Sequence, residues 1–139
     1  MFKRILAAVD VADPDKGRAV ATVAADIARA SGAELRLMTV PLMLEAIRDY
    51  VPASVTASDE AAAVKQLEAI AATIDFPAEK LSVAAPPGNI AERTLAEAGA
   101  FGADLIVIGP HKPSLAKMIL GSNATAILKN AKVSVLVAR

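Results

Sequence analysis

Short apolar runs of strand length alternate along this chain with amphipathic runs of helix length, and no other feature restricts its possible folds as much. "ILAAVD" reads as a first strand. After the turn-like "ADPDKG", Val20, Val23, Ala24 and Ile27 recur at helical spacing, and Gly32 in "SGAE" closes that helix. "AELRLMTV" is a second strand with Leu35 and Leu37 on one face. From Pro41 to about Ser58 the pattern is mixed and is read as an irregular flap, with "VPASVTAS" as an exposed connection. Val64, Leu67, Ala71 and Ile74 carry the next helix, and "LSVAA" is a third strand. Gly88, after two prolines, opens a helix that runs to about Phe101. "DLIVIG" is a fourth strand, a helix follows from about Ser122 to Ala131, and "VSVLVA" is a fifth.

The strands are mostly β-branched, and the fourth and fifth lack a polar face, so the sheet they form must be covered on both sides. Strands separated by helices pair in parallel through right-handed crossovers. The expectation is one α/β domain spanning residues 1–139, a five-stranded parallel sheet with helices on both faces. Small ligands in such a sheet collect beyond the carboxyl ends of the strands, where the strand order reverses.

Composition narrows the function classes. Lysine plus arginine and aspartate plus glutamate number 15 each, which removes the basic footprint of nucleic-acid binding, and at 3% aromatics base stacking has little to work with. The chain has no cysteine, which fits a reducing compartment. Neither a signal-peptide core nor an apolar run of membrane-spanning length is present, so a cytoplasmic protein without membrane insertion is expected.

The densest chemistry lies in "GPHKPSLAKMILGSNATAILK", directly after the fourth strand. Gly109 permits unusual backbone angles and the close approach of a ligand, Gly121 is a second such point, and Ser122 suits a helix N-cap. The unpaired N–H groups of that helix start, with the positive end of its dipole, form an anion site, although a Gly-Ser pair before a helix is also simply a cap. Asp10, at the end of the first strand, is either a turn residue or a contact to ribose or a phosphate-bound metal ion. The only histidine, His111, reads as a loop residue touching a ligand rather than as a catalytic base. Lys112 and Lys117 are phosphate partners or solvated loop lysines. Gly88 leads into a helix or touches a ligand, and Tyr50 covers either the ligand or the core edge.

"DLIVIGPHKPSLAKMILGSNATAILKNAKVSVLVAR", together with "KRILAAVDVAD", resembles the universal stress protein family over essentially the whole domain. That resemblance implies a Rossmann-like sheet of order 3-2-1-4-5, with an adenine nucleotide lying across the carboxyl ends of strands one, two and four. It implies that Gly109, Gly121, Ser122 and Asn123 surround phosphates and ribose, and that Ala8, Val9, Asp10 and Val40 line the adenine slot, largely through backbone groups. His111 and Lys112 fall within the same loop. The family pattern G-x2-G-x9-G-[ST] is altered here: Lys112 stands in place of the second glycine, and the interval between Gly109 and Gly121 is one residue short. This form resembles the branch labelled F and G, where ATP binding is still expected. A lysine there could grip a phosphate or fill its space.

The resemblance therefore implies an ATP-binding regulatory protein of the stress response. Mg²⁺ would accompany the ATP, a homodimer would form through the last strand, and an unidentified regulatory protein would read the state. The alternative is a dimeric interaction module of the same fold that binds no nucleotide. No Ser-His-Asp arrangement, P-loop or paired carboxylates with an evident role occurs, so no enzyme is expected beyond slow incidental ATP hydrolysis, and no metal site formed by the protein alone.

Overall fold

Ile5, Leu6 and Ala7 are each 0% exposed. A strand with no solvent face must sit inside a sheet that is covered on both sides. The computed structural model, which describes residues 1–41, 53–110 and 120–139, places β1 (Arg4–Ala8) in that central position. It pairs in parallel with β2 (Glu34–Met38) through Ile5 and Leu35, and with β4 (Leu105–Ile108) through Ile5 and Leu105. β3 (Leu81–Ala84) lies outside β2, and β5 (Ser134–Val137) outside β4, giving the order β3-β2-β1-β4-β5. The fold class and strand order are those implied by the sequence.

Among the described residues, four α-helices cover the sheet. α1 (Pro14–Ser31) opens with Asp13, whose carboxylate accepts from the Lys16 N–H at 3.3 Å, and with a proline in its first turn, where no hydrogen bond is lost. Gly32 closes it in the left-handed conformation. α1 and α2 (Ala53–Ala71) bury Val20, Ala24, Leu67 and Ile70 against Ile5, Ala7, Leu35, Leu37 and Val107 on one face. α3 (Ile90–Phe101) and α4 (Ser122–Asn130) bury Ala98, Phe101, Ala124 and Ile127 against Leu6, Met38, Ile106 and Ile108 on the other.

Three local readings change. Ala53–Ser58, expected to be part of an irregular connection, is helical, and α2 ends at Ala71, before Ile74. A helix nucleated around the packed Ala63, Leu67 and Ile70 extends one residue at a time, so its first turns need no apolar stripe of their own. Thr73 marks its other end: its N–H and hydroxyl both reach the Ile70 carbonyl, at 3.0 and 2.6 Å. Gly17, read as part of a turn, lies inside α1.

One charged side chain interrupts the second inner strand. Arg36 donates to Ser82 Oγ at 2.9 Å and to Glu97 Oε1 at 2.6 Å, and its guanidinium lies 4.3 Å from the centroid of the Phe101 ring. The Arg36 and Glu97 side chains are only 27% and 18% exposed, so removing either would leave the other as a partly buried charge without its counter-ion. At the amino edge, the Asp104 carboxylate accepts the N–H of Lys3 at 2.9 Å and of Arg4 at 3.1 Å, joining the start of β1 to the start of β4.

Two outcomes are expected. Glu97→Ala should lower stability by about 1–3 kcal/mol in urea unfolding, and Arg36→Met added to it should recover most of the loss, because the stranded cation is removed. Partial burial raises the Asp104 carboxyl, but the Lys3 and Arg4 N–H groups outweigh this and hold it below its ordinary value. Its stabilisation is therefore complete above the unfolded value, about 3.9, and fades as pH falls through the lower folded value. Asp104→Asn should lower the melting temperature at pH 7, with the gap from wild type closing below about pH 4 in a melting series.

Candidate functional site

The chain winds outward from β1 through β2 to β3, then returns to place β4 on the other side of β1. The carboxyl ends of β1 and β4 therefore flank the point where the strand order reverses. Beyond β1, the Val9 N–H donates to the Met38 carbonyl at 2.9 Å, carrying the pairing one residue past the regular ladder. Ala8 is half-buried and Val9 is buried. Asp10 Oδ1 accepts the Ala12 N–H at 2.9 Å, turning the chain toward α1. A Cβ on Gly17 would stand 2.7 Å from the Asp10 carbonyl oxygen, so only glycine lets α1 rest on this turn.

Beyond β2, the Thr39 N–H donates to the Ala84 carbonyl at 3.1 Å, and Val40 follows, buried. The proposed adenine-slot residues Ala8, Val9, Asp10 and Val40 thus lie on two adjacent strand ends. Thr39, which sequence reasoning passed over, lies among them; its signal was a polar residue inside the apolar run "LMTV".

Gly109 follows β4 but is not among the described glycines with positive φ. Its constraint is space: a Cβ there would come within 3.2 Å of Val20 Cγ2 on α1. Gly109 therefore admits a helix, where the sequence suggested unusual backbone angles. Gly121, not Ser122, is the N-cap of α4, with φ −62° and ψ 160°. The Gly121 N–H donates to the Pro110 carbonyl at 3.1 Å, and its carbonyl accepts the Thr125 N–H at 3.0 Å. Ser122 begins the helix proper and is exposed, while Asn123 is half-buried. Helix geometry leaves the N–H groups of Ser122, Asn123 and Ala124 without an intrahelical acceptor, and they carry the positive end of the dipole. They are the donors that α4 offers to an anion, since the Gly121 N–H is engaged.

His111 and Lys112 lie outside the described residues, as do Lys117 and Tyr50. Gly88 leads into α3 with φ 135°, and the cap itself is Asn89, whose side chain accepts the Glu92 N–H at 3.1 Å. The Asn-x-x-Glu spacing was the available signal for that cap. Among the described residues no three His, Cys, Asp or Glu side chains could together hold a metal ion.

A cavity of about 420 Å³ at the opposite, amino edge is lined by Lys3, Arg4, Gly32, Glu34, Lys80, Gly102 and Asp104. Most of its polar side chains already have protein partners: Arg4 pairs with Glu34 and donates to the Phe101 carbonyl, Asp104 holds two backbone N–H groups, and Lys80 reaches the Gly32 carbonyl. These contacts tie helix C-termini to strand starts, and the chemistry of the sheet's crevice lies at the other end.

The Universal stress protein family model matches residues 1–139. Universal stress protein G of Shigella flexneri is 38% identical over 52 residues, which is 37% of this chain and 37% of that relative. Among solved structures, universal stress protein UspA from Lactobacillus plantarum has a TM-score of 0.74 at 24% identity, covering 99% of this chain and 97% of that one. The Archaeoglobus fulgidus universal stress protein in complex with dAMP has a TM-score of 0.61 at 18% identity, covering 99% and 98%. A universal stress protein in complex with cAMP has a TM-score of 0.62 at 19% identity, covering 98% and 95%. At these identities the structural likeness is one of fold. The family match over the full length, on a sheet of order β3-β2-β1-β4-β5, establishes that this chain belongs to the universal stress protein family.

Proposed function

We propose that this protein binds an adenine nucleotide, ATP, across the carboxyl ends of β2, β1 and β4, and acts as a dimeric regulatory protein of the stress response. The observation that carries the reading is the Gly121–Pro110 hydrogen bond of 3.1 Å. It fastens the start of α4 to the end of β4, so the N–H groups of Ser122, Asn123 and Ala124 stand beside the crevice. A charge-assisted hydrogen bond to a phosphate contributes roughly 1.5–3 kcal/mol, so this group of donors alone could anchor a polyphosphate. β2 and β4 flank β1, two strand spacings or roughly 10 Å apart, which suits a ligand with its base over the apolar Val9 and Val40 and its phosphates at α4. The dAMP and cAMP complexes of proteins sharing this fold support adenine as the base.

Mg²⁺ in this reading is held chiefly by the phosphates and its own waters, because the described residues offer no carboxylate cage. The protein's own groups bind and orient; none is assigned a catalytic role, and any hydrolysis is slow and incidental. The homodimer forms through β5, whose Val135, Leu136 and Val137 are half-buried and whose only paired neighbour among the described residues is β4. Such an edge invites symmetric pairing with a second copy. The site of action in this proposal is the cytoplasm, where a protein partner reads the nucleotide-bound state. No helix among the described residues is long and apolar enough to cross a membrane.

ATP at about 100 times its Kd should stabilise the protein by roughly 2.7 kcal/mol, a shift of several degrees in a melting curve. The protein should also elute at twice its 14.3 kDa chain mass. Gly121→Val adds a branched side chain at a buried position of the anion site and should abolish the ATP shift while leaving the dimer intact. Ser122→Pro offers a gentler test, since proline suits the first helical position and the extended backbone of Gly121 tolerates a following proline. It removes one N–H donor, so stability should hold while ATP affinity falls about 10- to 100-fold by calorimetry. Unchanged ATP affinity in both folded variants would place the ligand elsewhere.

A further inference from the structure

Two polar side chains are buried among the described residues, Thr39 at 7% and Thr94 at 0% exposure. Thr94 has a structural use for its hydroxyl, which donates to the Ile90 carbonyl at 2.7 Å within α3. Thr39 has none: its N–H is paired with Ala84, but among the described residues its Oγ1 has no hydrogen-bond partner. Nor is that oxygen sealed in the core, because among the described residues the one fully occluded side-chain polar atom without a partner is Ser31 Oγ. A buried hydroxyl without a protein partner weakens the fold and is kept where something else meets it.

Its place says what meets it. Thr39 directly follows β2, and the peptide before it is fixed from both sides: the Met38 carbonyl accepts from Val9 beyond β1, and the Thr39 N–H donates to Ala84 at the end of β3. Its neighbours at the strand ends are aliphatic and buried: Val9 and Ala85 pack with the α1 and α2 layer, and Val40, next in the chain, with the α3 and α4 layer. Asp10, the nearby acid, already holds the Ala12 N–H. Thr39 is thus the neutral hydrogen-bonding side chain in an apolar slot, and β1 separates it from the anion donors of α4.

We infer that the Thr39 hydroxyl is a specificity-determining contact to the nucleobase, pairing with its polar edge, while the phosphates are held independently at α4. A hydroxyl both donates and accepts, so it can satisfy a ring nitrogen or an exocyclic amino group. This rests on the carboxyl-edge nucleotide site proposed above.

The test is calorimetry of wild type, Thr39→Val and Thr39→Ser with two probes, ATP and inorganic tripolyphosphate, together with melting of the ligand-free proteins. Thr39→Val keeps the shape and removes the hydroxyl. It should weaken ATP about 5- to 30-fold, leave tripolyphosphate affinity unchanged, and raise the ligand-free melting temperature by about 2–4 °C. Thr39→Ser should bind ATP within about threefold of wild type, since it retains the hydrogen bond. Wild-type ATP affinity in Thr39→Val overturns the inference, as does an equal loss for both probes or a lowered melting temperature, either of which would mark a structural role. If the Gly121→Val or Ser122→Pro loss of ATP binding is seen while Thr39→Val is silent, the base contact alone fails. If wild type binds no ATP, the nucleotide site fails and the base contact falls with it.

Discussion

The burial of β1 on both faces is the constraint from which the remaining architecture follows. Ile5 and Ala7 face one helical layer, Leu6 faces the other, and none of the three retains contact with water. At roughly 25 cal/mol per Å² of apolar surface removed from water, side chains of this size drive the sheet to be covered on both sides. Each connection between parallel strands must then be long enough to cross a face. The right-handedness of those crossovers sends the first two outward on one side of β1 and the later ones back on the other. The crevice at the carboxyl ends is therefore a product of the core, made before any ligand is considered.

α1 ties that crevice to the packing. Gly17 lets its first turn sit on the Asp10 carbonyl beyond β1, and Val20, three residues on and so on the same helical face, packs against Gly109 beyond β4. One helix thus sets the height of both strand ends that flank the reversal. Its buried stripe is made largely of alanine, with Ala21, Ala24, Ala25 and Ala28, which brings the helix axis close to the sheet. A larger side chain at position 17 or 109 would press on the Asp10 carbonyl or on Val20 and displace α1 from the strand ends.

The fold was legible because its signal is repeated: apolar strands and helical periods recur along the chain, and the agreement of many segments outweighs ambiguity in any one. The α2 start at Ala53 was missed because periodicity reports packing, and a helix can extend past the part of it that packs. For the candidate site, the helix start was legible and its local geometry was not. "GSNA" marks a helix start in sequence, yet which residue caps it depends on the Gly121–Pro110 hydrogen bond, a contact across a loop that no local pattern reports. Gly109 was assigned to backbone freedom when its real neighbour is Val20, far away in the chain. Thr39 escaped notice since a single polar residue in a strand usually points to solvent, and only the burial of its surroundings gives it meaning.

The two ends of the sheet treat their polar groups differently, and that asymmetry separates stability from function. At the amino edge, Asp104, Arg4, Glu34 and Lys80 have protein partners, joining strand starts to helix ends. At the carboxyl edge the helix geometry leaves the donors of Ser122 to Ala124 open, and Thr39 keeps a hydroxyl with no partner among the described residues. Open groups at one end are tolerated because the core and the contacts of the other end hold the fold. Since those donors are backbone N–H groups, what α4 offers to an anion depends on where the helix begins more than on which side chains it carries, and the Gly121–Pro110 hydrogen bond fixes that beginning beside the end of β4.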